Sequence, residues 1–78
     1  MARVRFFAQA RDAAGCRDVE IDGATVGAVL NAAIERFGPA LGGVIAASAI
    51  WVNGEQADTV QAIRPTDELA VLPPVSGG

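Results

Sequence analysis

The chain has 78 residues, a formal net charge of −3 and 51% hydrophobic residues, so it is long enough for one small domain with a hydrophobic core. The acidic balance argues against binding to nucleic acid or to an acidic membrane surface, which both favour clustered lysine and arginine. The chain has no histidine, so it lacks the commonest general base. Because Cys16 is its only cysteine, it can form neither an internal disulfide nor a thiolate metal site, and a reducing, cytoplasmic location is expected.

The first half of the chain predicts two strands and a helix. Residues 3–8 (RVRFFA) and 18–22 (DVEID) alternate apolar and polar side chains, as half-buried strands do, and the small polar residues 9–17 between them predict a loop. Thr25 is a suitable N-cap for a helix that the Gly-Pro pair at 38–39 would end. The apolar stripe of this helix consists of Val26, Val29, Leu30, Ala33, Ile34 and Phe37.

The second half predicts three strands linked by turns. Residues 40–48 are ambiguous and allow either a short helical turn or an irregular segment that crosses the sheet. Residues 49–58 (AIWVNGEQAD) predict a strand, a tight Asn-Gly turn and a short return strand. The last strand is predicted at Glu68–Leu72, after a type I turn with proline in its second position at 64–67.

This order of elements predicts an α+β fold over residues 1–72: the ubiquitin-like β-grasp, a small mixed sheet with one main helix packed on one face. The inward-facing strand residues and the apolar stripe of the helix would form the core, and the other face of the sheet would stay open. A half-ferredoxin arrangement would need a second long helix, which the sequence does not predict. Residues 73–78 would follow this domain as a flexible tail.

Three outward-facing apolar residues mark the open face of the predicted sheet. Strand alternation points Phe7, Trp51 and Leu72 away from the helix, on strands that are neighbours in a ubiquitin-like order. A contiguous exposed apolar patch is typical of a partner-binding surface, and tryptophan is a favoured anchor. The alternatives are that Trp51 folds over the sheet edge as ordinary packing, or that the strand register is shifted by one residue.

The tail, PPVSGG, has a composition suited to chemistry at its last residue. Its two prolines favour extended geometry, and no side chain after Glu68 is charged, so the segment could enter a narrow channel. Glycines lack Cβ atoms and let reagents approach the carboxyl carbon of Gly78 closely. A carboxylate is a poor acyl donor, so it would need activation by ATP before a sulfur nucleophile could form a thiocarboxylate. A partner enzyme would have to supply the groups for these steps.

Three segments, VRFFAQARDAAG at 4–15, VNGE at 52–55 and LPPVSGG at 72–78, resemble the small subunit of molybdopterin synthase, the MoaD-type sulfur carrier. The resemblance implies a ubiquitin-like fold and a non-catalytic carrier that binds no cofactor or metal, with active-site residues supplied by the large subunit. Gly78 would be adenylated with ATP by a MoeB-type enzyme and then thiocarboxylated. The tail would enter the MoaE-type large subunit, in a hetero-oligomer expected to be a heterotetramer, and donate sulfur to cyclic pyranopterin monophosphate in molybdenum cofactor biosynthesis.

The resemblance also implies a role for each residue of the tail. Gly78 would carry the sulfur, and Gly77 would provide clearance for the reagents. Val75 and Ser76 would line the partner's channel. Pro73 and Pro74 would set the direction in which the tail leaves the domain.

Two departures and several alternatives accompany the resemblance. Leu72 stands where many relatives have phenylalanine, and Pro-Thr-Asp at 65–67 replaces a glycine-aspartate turn; neither change touches the sulfur-bearing end. Carriers for thiamine thiazole and for cysteine synthesis share the fold and the terminus, so both pathways stay open. A ubiquitin-like modifier or binding module whose tail never bears sulfur is an alternative of a different class.

Cys16 and the N-terminal arginines each allow two interpretations. Cys16 could relay sulfur, but with Arg17 as its only evident basic neighbour and no second thiol, a small loop residue is the favoured interpretation. Arg3, Arg5 and Arg11 could pair with acidic groups on a partner, although solvated surface charges are the favoured account.

Overall fold

The computed structural model describes residues 1–73, which form one five-stranded mixed sheet and three helices. The strand order across the sheet follows the sequence numbering β2-β1-β5-β3-β4; β1 and β5 run parallel, and the other neighbouring strands run antiparallel. This arrangement, with the main helix α2 on one face, confirms the predicted α+β, ubiquitin-like β-grasp. In chain order the elements are β1 (Ala2–Phe6), α1 (Gln9–Ala14), β2 (Asp18–Ile21), α2 (Val26–Phe37), α3 (Pro39–Ala46), β3 (Ala49–Val52), β4 (Glu55–Gln56) and β5 (Glu68–Leu72).

The core lies between α2 and the two central strands of the sheet. Val4 on β1 and Leu69 on β5 are fully buried, because alternate strand residues face the helix. From the helix side, Val29 and Ala33 are fully buried as well, and Leu41 of α3 closes the same core. Burial alternates along β1 and β5 as the sequence predicts, so each of these strands presents the expected face to the core.

The main helix begins and ends where the sequence predicts. The Thr25 side-chain oxygen accepts a hydrogen bond from the Ala28 N–H at 3.1 Å. This bond satisfies one of the first-turn N–H groups that have no acceptor within the helix. At the other end, Gly38 has a φ of 105° and its N–H donates to the Ile34 carbonyl at 2.7 Å. Pro39 is then the first residue of α3, a position where the missing N–H of proline is no loss. The ambiguous segment after α2 is therefore helical.

Residues 9–17 are not the loop that the sequence predicted, because six of them form the helix α1. The prediction was wrong because so short a helix shows no full apolar period, and only Ala10 in it is buried. Its alanines favour helix strongly, and their small side chains let α1 pack closely on α3. Gly15, with a φ of 76°, ends the helix in the left-handed conformation.

A polar network ties β5 to the turn between β3 and β4. Asn53 and Gly54 have φ values of 51° and 85°, as the tight hairpin turn requires. The turn at 64–67 is closed by the Asp67 N–H, which donates to the Arg64 carbonyl at 2.9 Å. The Asp67 carboxylate accepts hydrogen bonds from the Asn53 side-chain amide at 2.9 Å and from the Arg64 N–H at 2.8 Å. The unusual Pro-Thr-Asp turn is therefore part of a locally satisfied network.

This network predicts a pH dependence of stability. The hydrogen bond from the Arg64 N–H and then that from Asn53 favour the charged form, so the pKa of Asp67 is lowered in the folded state. The carboxylate therefore contributes stability above its unfolded-state pKa of about 3.9 and loses it as the pH falls through the lower folded value. We expect Asp67→Asn to lower the unfolding free energy at neutral pH and to flatten its decline in acid, measured by urea unfolding.

Asp12→Asn is the matched control for this prediction, since Asp12 is an exposed aspartate of α1 outside the network. The control should keep the stability and the acid decline of the parent chain. An unchanged acid decline in Asp67→Asn would contradict the assignment.

Candidate functional site

The sheet face opposite α2 carries an apolar patch around the end of β5. The last β1–β5 pair is Phe6 with Val71, and the Phe7 N–H donates to the Val71 carbonyl at 3.2 Å, so Phe7, one residue past β1, lies level with Leu72 on β5. On the other side of β5, Leu72 lies opposite Ala49, and Ala70 lies opposite Trp51. The open-face patch, as it is called below, consists of Phe7, Ala49, Trp51, Ala70 and Leu72.

The three residues that the sequence predicted for a partner surface all belong to this patch. Phe7 is 37% exposed, while Trp51 and Leu72 are half-buried. The register of β3 is the predicted one, because Val52 is buried in the core and Trp51 is not among the side chains packed against it. The structure therefore brings the three residues together, although Phe7 lies just past the end of β1 and not within the strand as predicted. Their role in binding a partner stays a prediction.

The rest of this face is charged. The guanidinium of Arg3 lies 4.0 Å from the carboxylate of Asp18, and that of Arg5 lies 3.4 Å from Glu68. All four side chains are about half exposed, so each ion pair contributes only about 0–1 kcal/mol to stability. The charged part borders the open-face patch and has the character of the polar rim found around protein interfaces.

The central strand β5 leads directly into the predicted tail. Pairing with β1 on one side and β3 on the other holds the strand, up to Leu72 on the β3 side. Pro73 follows as an exposed residue. Because β5 is held on both sides, the fold sets the direction in which the chain leaves the sheet. The predicted roles of Pro74, Val75, Ser76, Gly77 and Gly78 concern residues outside the described part of the chain.

A recess of about 270 Å³ opens beside the patch, where β1 ends and α1 begins. Ala8, with a φ of 52°, makes a sharp turn that is closed by a 3.1 Å hydrogen bond from the Ala10 N–H to the Phe7 carbonyl. Arg17, which directly precedes β2, also lines the recess, and its carbonyl accepts a hydrogen bond from the Phe6 N–H at 2.8 Å. The arginine recess, as it is called below, is lined by Arg5, Phe6, Phe7, Arg11, Arg17 and Asp18.

Arg17 is the residue of this recess that the sequence interpretation missed. That interpretation grouped Arg3 with Arg5 and Arg11 because they are close in sequence. In the structure Arg3 pairs with Asp18 instead, and Arg17 joins the other two arginines. No local pattern signals this, because the arrangement depends on the pairing of β1 with β2 across the intervening helix.

The remaining features of the described residues that bear on function are possible metal ligands, a thiol and the lengths of the helices. Within residues 1–73, no group of three or more cysteine or carboxylate side chains is placed to hold a metal ion. The free thiol of Cys16 is partly buried and packs against the edge of the core, and a sulfur-relay role for it is untested. None of the helices in residues 1–73 combines the length and apolar character needed to cross a bilayer.

Comparison with known proteins identifies similar chains. The model of the ThiS family matches residues 4–78. Small archaeal modifier protein 1 from Haloferax volcanii is 36% identical, with 99% of this chain and 98% of that chain covered and a TM-score of 0.80. The protein of that name from Methanosarcina acetivorans is 29% identical, with 99% and 95% covered and a TM-score of 0.87. A putative molybdopterin converting factor subunit 1 from Pyrococcus furiosus is 26% identical, with 95% and 97% covered and a TM-score of 0.82.

Proposed function

The chain belongs to the ThiS family of ubiquitin-like sulfur carriers, and from this membership we propose that it carries sulfur on Gly78 as the small subunit of a molybdopterin synthase. The Gly78 carboxylate attacks the α-phosphate of ATP in a MoeB-type enzyme and releases pyrophosphate. A sulfide equivalent then displaces AMP and leaves a thiocarboxylate. In a MoaE-type large subunit, this thiocarboxylate donates its sulfur to cyclic pyranopterin monophosphate, and water cleaves the acyl–sulfur bond, which restores the Gly78 carboxylate.

The observation that carries the proposal is the family match, which runs through both terminal glycines at 77–78. Support for the molybdopterin pathway comes from the similarity to the Pyrococcus protein and from the segment resemblance described above. The open-face patch supports docking on a partner, because it lies beside the end of β5 and therefore beside the start of the tail. The proposed division of labour is that the domain delivers the acyl group and the partners supply the catalytic residues.

Intact-mass analysis tests the proposal directly. After incubation with a MoeB-type enzyme, ATP and sulfide, we expect one oxygen of Gly78 to be replaced by sulfur. The thiolated chain should then convert cyclic pyranopterin monophosphate to molybdopterin when a MoaE-type subunit is added. An unchanged mass, under conditions that thiolate a known carrier, would contradict the sulfur-carrier proposal. A thiolated chain that instead feeds thiazole or cysteine formation would move it to another pathway.

A second candidate function is protein modification, which the similarity to the Haloferax modifier protein favours. In that case Gly78 would form an isopeptide bond with a lysine of a target protein. Mass spectrometry of conjugates would detect target lysines whose side-chain amine carries the C-terminal peptide of this chain. The chain itself has no lysine, so it could act as donor but could not accept another copy on a side chain.

Trp51→Ala tests the open-face patch as the docking surface for these partners. We expect the affinity for the MoeB-type enzyme, measured by calorimetry, to fall by about tenfold or more, because a central aromatic anchor would be lost. The domain should stay folded, because the Trp51 side chain lies outside the core. Val60→Ala is the control, since Val60 is apolar, 81% exposed and lies in the segment between β4 and β5. Unfolding of Trp51→Ala would instead favour the interpretation of Trp51 as core packing.

A further inference from the structure

The arginine recess concentrates positive charge on a chain that is acidic as a whole. Three of the six arginines line it, and among residues 1–73 Asp18 is the only carboxylate that does so. Overall, the chain carries a net charge of −3. Such a local reversal of sign is what electrostatic recognition of an acidic partner requires.

The arginines of the recess differ in the groups that they already contact. Arg5 lies 3.4 Å from Glu68, and its guanidinium carbon sits 5.6 Å from the centre of the Phe7 ring. Arg11 and Arg17 are both exposed, and within residues 1–73 neither lies within 4.0 Å of a carboxylate. Both residues line the recess, so each has a guanidinium group that can still make charge-assisted hydrogen bonds to a bound carboxylate.

The recess is also continuous with an apolar surface. Phe7 lines it and at the same time belongs to the open-face patch, where it lies level with Leu72. A small inorganic anion would use the arginines and leave the ring of Phe7 exposed. An occupant that uses both must carry a carboxylate beside an apolar group, as a glutamate or aspartate next to a leucine on a protein surface does.

We propose that the arginine recess binds an acidic side chain of a partner protein, through Arg11 and Arg17, while the apolar neighbour of that side chain packs on Phe7. Nucleic acid does not fit, because Asp18, Glu20 and Glu68 lie along the same sheet face and would repel a phosphate backbone. The contact would lie off the axis of β5. It would therefore fix the rotation of the domain on its partner, and with it the direction of the tail.

This proposal is independent of the sulfur chemistry and can be tested with the chain alone. The measurement is a titration followed by NMR shifts of the Phe7 amide and the arginine side chains. The probe is the capped peptide Leu-Glu-Glu-Leu, the matched peptide is Leu-Gln-Gln-Leu, and inorganic phosphate is the third ligand. We expect the acidic peptide to shift these signals with an affinity about tenfold or more above that of the glutamine peptide. The difference should shrink in high salt.

Charge-reversal variants locate the contact. Arg11→Glu and Arg17→Glu should each abolish the preference for the acidic peptide. Arg36→Glu should retain it, because Arg36 is an exposed arginine near the end of α2, away from the recess. All three substitutions lie at exposed positions, so the dispersed amide spectrum of the folded chain should be preserved.

Three outcomes of the titration would overturn the proposal. Equal affinity for the two peptides would mean that the patch binds their apolar groups and does not distinguish glutamate from glutamine. Equal shifts with phosphate alone would mean a simple anion site, and no shift with any ligand would mean a solvated surface. If the MoeB-type enzyme fails to adenylate the parent chain, the proposed function is wrong, but the titration result is unaffected. If adenylation occurs, Arg11→Glu and Arg17→Glu should raise KM without lowering kcat.

Discussion

A variant that lacks Gly77 and Gly78 should keep its fold and lose sulfur transfer completely. The acyl carbon that would be adenylated is removed, so neither pyrophosphate release from ATP nor the mass change from oxygen to sulfur should occur. Stability should change by no more than about 0.5 kcal/mol, because the last buried core residue within 1–73 is Val71 and a glycine has no side chain to bury. Intact mass after the thiolation reaction and urea unfolding measure the two effects on the same sample.

The matched control for this truncation is Ser76→Ala, which changes the tail but leaves both glycines in place. It should still be thiolated, because the acyl group and its unhindered approach are preserved. If the truncated chain supported cofactor assembly at the parent rate, the reactive cargo would not be the final acyl group. In that case the binding-module interpretation of the domain would become the better one.

Leu69→Ala should be the most destabilising single truncation on β5. Leu69 is fully buried on the central strand, and such leucine-to-alanine changes remove about 2–5 kcal/mol. A domain of this size has an unfolding free energy of only about 4–12 kcal/mol, so much of its stability would be lost. Urea unfolding should show a clearly lower midpoint, and partner binding should weaken only in proportion to the unfolded fraction.

Leu72→Ala makes the same chemical change on the same strand but on the opposite face. Leu72 is half-buried in the open-face patch, so the loss of stability should be less than half of that for Leu69→Ala. Partner affinity, measured on the folded protein, should instead fall more for Leu72→Ala. Equal losses of stability from the two substitutions would show that the two faces are not divided into core and docking surface.

The fold could be predicted from the sequence wherever a periodic pattern was long enough to read. The stripe of α2 covers three turns and is bounded by Thr25 and Gly38, so both its ends were correct. β5 alternates over five residues, and the prediction of its bounds was confirmed without change. The Asn-Gly turn at 53–54 was also predictable, because its chemistry allows positive φ at both positions. In each case the deciding interactions lie within a few residues along the chain.

Two short helices were beyond what a local pattern could decide. α1 has six residues and one buried side chain, and α3 contains two glycines and begins at a proline. Neither has enough turns to be stable alone or to show an apolar period. They form because each packs against the other and, through Leu41, against the core. Their stability therefore comes from contacts between distant parts of the chain.

The sequence by itself determined most of the core, the main helix, the face to which each strand residue belongs and the chemical character of the PPVSGG segment, because these depend on local periodicity and composition. Only the tertiary structure decided which side chains meet on the open face. The parallel pairing of β1 with β5 brings Phe7 level with Leu72, and the pairing of β1 with β2 carries Arg17 to Arg5 and Arg11. These neighbours are set by strand order and register. Strand pairing joins residues that are far apart in the chain, so it leaves no periodic signal in the sequence.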